Sequence, residues 1–277
     1  MLTDYHVHLR PDGADEAFAD AFSDANVERY REAAAAAGIS ELGVAEHIHR
    51  FEQSLEIWDH PFWQEQARDD IYAYCAYVRE ETDLRLGLEV DFVPGREDRT
   101  QNLIERCELD YVVGSVHFLG DQALDFERFD IWATGTRSAE DIWRRYFETL
   151  AAAASSGLFD ILAHPDLVKI WGGARPSPAG DLRRYYEPAL EAIADSNIAV
   201  EVSTAGLRKP VGEIYPAPAF LAGALEAGAP IALSSDAHVP EQVGFAYDQA
   251  LELLDSLGVG ELAVFERRQR RLEPLGR

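Results

Sequence analysis

Lysine is nearly missing from this chain. Lys169 and Lys209 are the only two lysines among 25 basic residues, which face 50 acidic ones in 277 positions. The formal net charge of -25 repels phosphate backbones, so nucleic acid is not an expected partner. Cysteine is equally scarce. Cys75 and Cys107 are too few for a disulfide framework and lack the spacing of thiolate metal ligands, so both are expected to be buried free thiols. No apolar run approaches a membrane span, and the opening residues lack the basic and apolar regions of a secretory signal. A cytoplasmic protein with no membrane partner is therefore expected. No glycine-rich phosphate fingerprint follows the first predicted strand, which weakens a doubly wound open sheet as the architecture. Long Pro/Ser-rich linkers are also missing, so residues 1–277 are expected to form a single domain.

What is present is alternation. Short apolar runs predict strands at 2–8, 41–47, 84–92, 110–117, 159–166, 198–204 and 230–238, with an eighth candidate at 262–267. Longer helical patterns lie between them, from Asn26, from Ser138 and from Asp181. Ser138 followed by Asp141 resembles a capped helix start, and Gly38 and Gly157 mark helix ends. Seven or eight such βα units predict an α/β barrel. Residues 171–180 are expected to be a loop, and "HRFEQSLEIWDHPFW", from His49, a loop or lid lining a substrate pocket.

Six of the eight histidines fall at C-terminal ends of predicted strands: His6, His8, His47, His117, His164 and His238. Glu89 and Asp236 share those positions. Taken singly, each histidine reads as a packed core residue. Barrel strand ends converge on one mouth, however, so together they read as a metal centre. Imidazoles with a few carboxylates and no thiolate suit Zn, Mn or Fe better than Mg or Ca. The donors are too many for one tetrahedral ion, so two or three divalent ions and a bridging carboxylate are expected. Such sites activate water and clamp phosphoryl oxygens.

The segments "DYHVH", "AEH", "GLEVDFVPG", "GSVHFLG", "AHPDL", "STAGLRKPVGEIYP" and "SSDAH" occur in order from residue 4 to residue 238. In that order they resemble the PHP (polymerase and histidinol phosphatase) superfamily. "GSVHFLG" and "GLRKPVGEIYP" favour its monofunctional histidinol-phosphate phosphatase branch. The resemblance implies a distorted (β/α)7 barrel with a trinuclear metal cluster at its mouth and a small phosphorylated substrate, L-histidinol phosphate. It implies one ion held by His6, His8, Glu89 and Asp236, and a second by Glu89, His117 and His164. A third would use His47 and His238. Relatives place another histidine shortly after the H-x-H pair, where this chain has "RPDGADEA"; either Asp12 or Asp15 substitutes as an oxygen ligand, or the third ion is weakly held or absent.

Arg208 resembles the branch's phosphate-holding arginine, as guanidinium geometry favours. Lys209, Lys169 and Arg10 are further candidate substrate contacts, with pairing to a nearby Asp the alternative for Arg10. Asp91, two residues past Glu89 on the same strand face, is a candidate general acid or an orienting group for a ligand. Asp4 and Asp166 are expected to orient ligand histidines. His49 and His60 are expected to pack in the loop rather than ligate. Three rival readings are a phosphatase for another small phosphomonoester, a non-catalytic metal-binding module, and an amidohydrolase. The last would want a lysine inside a barrel strand, and neither lysine sits in one. The oligomeric state is left open.

Overall fold

Seven parallel strands succeed one another around a barrel in chain order. They are β1 Thr3–Asp4, β2 Glu41–His47, β3 Arg85–Asp91, β4 Tyr111–Ser115, β5 Ile161–Leu162, β6 Ala199–Ser203 and β7 Ile231–Ser234. The computed structural model describes residues 1–12 and 21–276. Parallel neighbours need a crossover, and helices supply it: α1 Asp24–Ala36, α2 Pro61–Gln66, α3 Ile71–Glu81, α4 Glu97–Ile104, α5 Ala139–Ser155, α6 Arg183–Ser196, α7 Pro218–Glu226 and α8 Tyr247–Ser256. Ser138 caps α5 by accepting from Asp141 N at 3.2 Å, as its sequence predicts. Gly38 and Gly157 take positive φ where the preceding helices stop.

The interior is layered by strand parity. In β2 to β4, Gly43 and Gly87 both back onto the Tyr111 side chain near the strand starts. A methyl group on Gly87 would come within 2.5 Å of the Tyr111 ring, so only glycine leaves room for that tyrosine. Above it lie Ala45, Val113, Ile161, Ala199 and Ala232, all buried in one small-residue cluster. Two residues further along come His47, Ser115, Glu201 and Ser234, and Glu89 lies two beyond Gly87. The period of two therefore converts an apolar interior into a polar mouth within one step.

Three expectations change. The first strand is not continuous over 2–8: pairing with β2 covers only Thr3 and Asp4 and resumes as a single bridge from Val7 to Ala237. That break lets Tyr5 pack in the barrel interior while His6 and His8 both reach the mouth, which an unbroken pleat forbids. The eighth candidate strand is not part of the barrel. It forms β8 Glu261–Glu266 and pairs antiparallel with β9 Gln269–Pro274; Phe265 then packs edge-on to Tyr5, plugging the barrel's N-terminal end. The segment from His49 is helical rather than loop, with turns at Ile48–Arg50 and Glu52–Glu56 leading into α2. Its Phe51, Ile57 and Trp63 are buried in the core. Cys75 and Cys107 are buried and free, as expected. Among the described residues, no helix is long and apolar enough to cross a membrane.

Candidate metal centre

Glu89 stands at the middle of the mouth, 1% exposed. Its two oxygens face different groups. Oε1 lies 3.2 Å from His164 Nε2 and 3.4 Å from His117 Nε2. Oε2 lies 3.3 Å from His6 Nε2 and 3.7 Å from His8 Nε2, and His47 Nδ1 contacts the same oxygen. Asp236 Oδ1 adds contacts at 3.4 Å to His8 and 3.8 Å to His6. His238 joins through Nε2, 3.3 Å from His47 Nε2. Three convergent donor sets result: His6, Glu89 and His164; His6, His8 and Asp236; His8, His47 and His238.

The protonation pattern suits cation binding. Burial disfavours charge on Glu89, yet His47, His6 and His117 hold its pKa well below the usual carboxylate range. Burial likewise opposes ionisation of Asp236, and His6, His8 and His238 overcome it. Burial, with the neighbouring His47 and His238, drives His8 well below an ordinary imidazole. His47 is lowered to about 3, chiefly by burial. Burial opposes charge on His6, His117 and His238 as well, yet the carboxylates facing them raise all three. Ionised carboxylates thus hold positive charge at the centre, and a divalent ion would take the place of those imidazole protons. His6 Nε2 and both ring nitrogens of His8 are buried without a hydrogen-bond partner. Such orphaned atoms are costly unless something satisfies them, and a divalent ion fits that role.

The chain holds these donors in strained geometry. His164 and Asp236 have φ of 25° and 50°, in the left-handed region that non-glycine residues avoid. Glu201 fixes the first of these by accepting from His164 N at 2.6 Å. Its other oxygen pairs with His6 Nδ1 at 2.8 Å and accepts from Ser234 Oγ at 2.7 Å. Glu201 is thus the carboxylate that turns His6 toward the centre, by a second hydrogen bond on the opposite ring nitrogen.

A family model, the PHP domain, matches residues 17–205. The chain belongs to the PHP domain family. A Deinococcus radiodurans relative named "Probable histidinol-phosphatase" is 36% identical over 251 residues, covering 88% of this chain and 91% of its own. The Bacillus subtilis histidinol-phosphatase is 29% identical over 188 residues, covering 63% of this chain and 70% of its own. Among solved structures, the Lactococcus lactis histidinol phosphate phosphatase, complexed with zinc, L-histidinol and phosphate, superposes with a TM-score of 0.71. That match covers 98% of both chains at 20% identity, and it establishes the distorted barrel fold.

Within the PHP frame, the remaining predicted residues divide. Arg208 Nη2 donates to the backbone oxygens of Ser235 and Asp236, both at 2.8 Å, and its Nη1 is buried without a partner. Burial lowers its pKa from that of a free guanidinium. Lys209 lines a cavity of about 330 Å³ beside the metal ligands, together with Arg10, Asp12, His49 and Asp125. Arg10 is already paired with Asp69 at 2.5 Å. Lys169 departs from expectation: its amine is bound to Asp166 at 2.9 Å and Glu213 at 3.1 Å and does not line that cavity.

Asp91 lies against a ligand histidine, the orienting place of its two expected roles. Its Oδ1 accepts from His117 Nδ1 at 2.7 Å, and although burial opposes its charge, His117 and His49 hold its pKa below the carboxylate range. Asp4 and Asp166 orient no histidine side chain. Asp4 accepts from Ser235 N at 3.0 Å and from Ser235 Oγ, stitching β1 to the end of β7. Asp166 accepts from Ala217 N at 2.7 Å. His60 caps α2 through Phe62 N at 3.2 Å, a packing role as expected. His49, however, lines the cavity and stacks on His47 at 4.7 Å. Asp15 lies outside the described residues.

Sequence reading missed Glu201 and Asp125. The first had a signal, an acidic residue at the inward parity of "AVEVS". Asp125 sits in a long connection with no periodicity to reveal it. Burial raises its carboxyl above the usual range, despite the attraction of His117 and Lys209.

Proposed function

We propose that this chain is a metal-dependent phosphomonoesterase that hydrolyses L-histidinol phosphate to L-histidinol and inorganic phosphate in histidine biosynthesis. One observation carries the reading. Buried imidazole nitrogens without partners converge with carboxylates, and Arg208, bonded to the backbone of the ligand Asp236, keeps a guanidinium nitrogen without a partner beside them. A cation on the first set and an anion on the second is what a phosphomonoester site requires. The names of the relatives support the substrate.

His6, His8, Glu89 and Asp236 would hold one ion, and Glu89, His117 and His164 a second. His47 and His238 would hold a third, all drawn from Zn, Mn or Fe. When bound, these ions lower the pKa of a water and neutralise charge on the phosphoryl oxygens. Arg208 is fixed by its two carbonyl bonds, so its free edge offers directed donors to the phosphate. Asp91 keeps His117 in the tautomer that leaves Nε2 free for metal. Lys209 adds positive charge at the cavity wall. On the same wall Asp125 faces the ammonium group of the amino alcohol, and Phe62, Phe118 and Phe126 offer ring faces to its imidazole. The whole chain acts as one domain in the cytoplasm, and its acidic surface leaves nucleic acid aside.

Phosphate release by protein reconstituted with Mn²⁺ or Zn²⁺ tests this. L-Histidinol phosphate should exceed nucleoside bisphosphates and phosphotyrosine in kcat/KM by roughly 100-fold or more. Equal rates across the panel would overturn the substrate assignment; no release from any member would overturn the activity.

A further inference from the structure

The turn after the H-x-H pair is clamped from β2. Glu46, wholly buried, accepts from Leu9 N at 2.5 Å and Arg10 N at 3.1 Å. Its second oxygen pairs with Arg50 Nη1 at 2.6 Å, and that nitrogen also donates to Arg10 O at 2.5 Å. Arg50 is 3% exposed, so the pair lies out of water. Its remaining terminal nitrogen, Nη2, reaches Asp12 Oδ1 at 2.7 Å. The other Asp12 oxygen then stands 3.2 Å from His238 Nε2, and Oδ1 lies 3.9 Å from His47 Nε2. His8 stacks on both of those rings at 4.2 Å and finds no hydrogen-bond partner for either of its own nitrogens.

We infer that Asp12 is the oxygen ligand of the His47–His238 metal position, and that Arg50 is the positioning residue that sets how tightly this position holds its ion. The inference rests on the metal-centre reading above and names the donor that completes its third position. A carboxylate on an exposed turn loses side-chain freedom when it binds a cation. Arg50 removes that freedom beforehand. A bare guanidinium would also repel the ion and weaken the carboxylate as a donor. Here Glu46 neutralises it at 2.6 Å, so the pair contributes little net charge at the metal and its directed N–H remains. Positioning therefore outweighs repulsion.

Metal content of wild type, Asp12→Ala, Asp12→His and Arg50→Lys, stripped by chelator and dialysed against Mn²⁺, tests this without substrate. Elemental analysis should show one ion per chain fewer in Asp12→Ala than in wild type, with unchanged circular dichroism. Asp12→His, which returns a neutral donor, should restore that ion. In Arg50→Lys, titration calorimetry should show the weakest ion alone released roughly 10- to 100-fold more readily. Lysine keeps a cation beside Glu46, avoiding the strongly destabilising loss of a buried partner. Wild-type stoichiometry and affinity in Asp12→Ala would overturn the assignment, as would simultaneous loss of every ion. If the Asp12 difference appears but histidinol phosphate is not hydrolysed, the proposed activity fails and this inference stands.

Discussion

The two ends of this barrel are built from the same strands to opposite purposes. At the N-terminal end Tyr5 and Tyr111 pack with ring centroids 5.0 Å apart, and Phe265 of the hairpin closes over them. Small residues fill the level above, and the buried Tyr111 hydroxyl bonds Val44 O at 3.0 Å. At the C-terminal end, a few ångströms further along the same strands, buried polar atoms are left without partners. Burial drives folding at the first end. At the second it raises the free energy of a cluster that bound cations would relieve. One end therefore governs stability and the other governs chemistry, and mutations should separate them.

The largest separation is expected from Glu89→Gln. Losing the carboxylate that both oxygen-facing groups share should cost about 4 kcal/mol of transition-state stabilisation, roughly a thousandfold in kcat/KM. Far-UV circular dichroism should stay native. A near-normal rate would sink the bridging assignment. Tyr111→Ala should do the converse, removing about 3–4 kcal/mol of stability in denaturant titrations through the cavity it leaves. Its kcat at permissive temperature should hold; a parallel fall in kcat would show that the two ends are coupled.

Glu201→Gln probes the border between them. It keeps the shape but weakens the acceptor for His6 Nδ1 and His164 N, so metal affinity and kcat/KM should fall by roughly 10- to 100-fold. A drop in melting temperature alone would make Glu201 a packing residue. The smallest effect is expected at Asp160, whose carboxylate meets Arg268 of the hairpin at 2.5 Å. Burial nevertheless raises its pKa, with Arg268 and Val112 N opposing. A carboxyl raised on folding stabilises below its unfolded value of about 4 and loses that contribution as pH rises through the folded value. Wild type should therefore lose ground to Asp160→Asn as pH rises from about 4 toward neutrality. If it gains instead, the Arg268 pair outweighs burial.

Much of this was legible in the chain. Strand-end histidines, Glu89 and Asp236 stand out because period-two strands otherwise carry apolar residues, and helix caps at Ser138 and Gly157 are local events. The seven barrel strands are recognisable for the same reason. The break between Asp4 and Val7 is not, because "DYHVH" has the pattern of an unbroken strand. β9 is missed because "QRRLEP" is mostly exposed and carries no apolar alternation. Lys169 misleads because its scarcity suggests a role that Asp166 and Glu213 take up. Asp4 misleads in a different way, since its partner Ser235 is brought alongside only when the barrel closes.

By itself, then, the sequence determined which donors exist, that they sit at strand ends, and that thiolates and a basic surface play no part. Side-chain parity and residue chemistry are local properties, so they survive being read one segment at a time. Only the tertiary structure decided that Glu89 turns one oxygen to His117 and His164 and the other to His6, His8 and His47. Only it decided that Arg208 keeps a free edge, that Asp91 lies against His117, and that Arg50 aims Asp12 at His238. Those outcomes depend on distances between non-adjacent strands and loops, and closure of the barrel sets those distances.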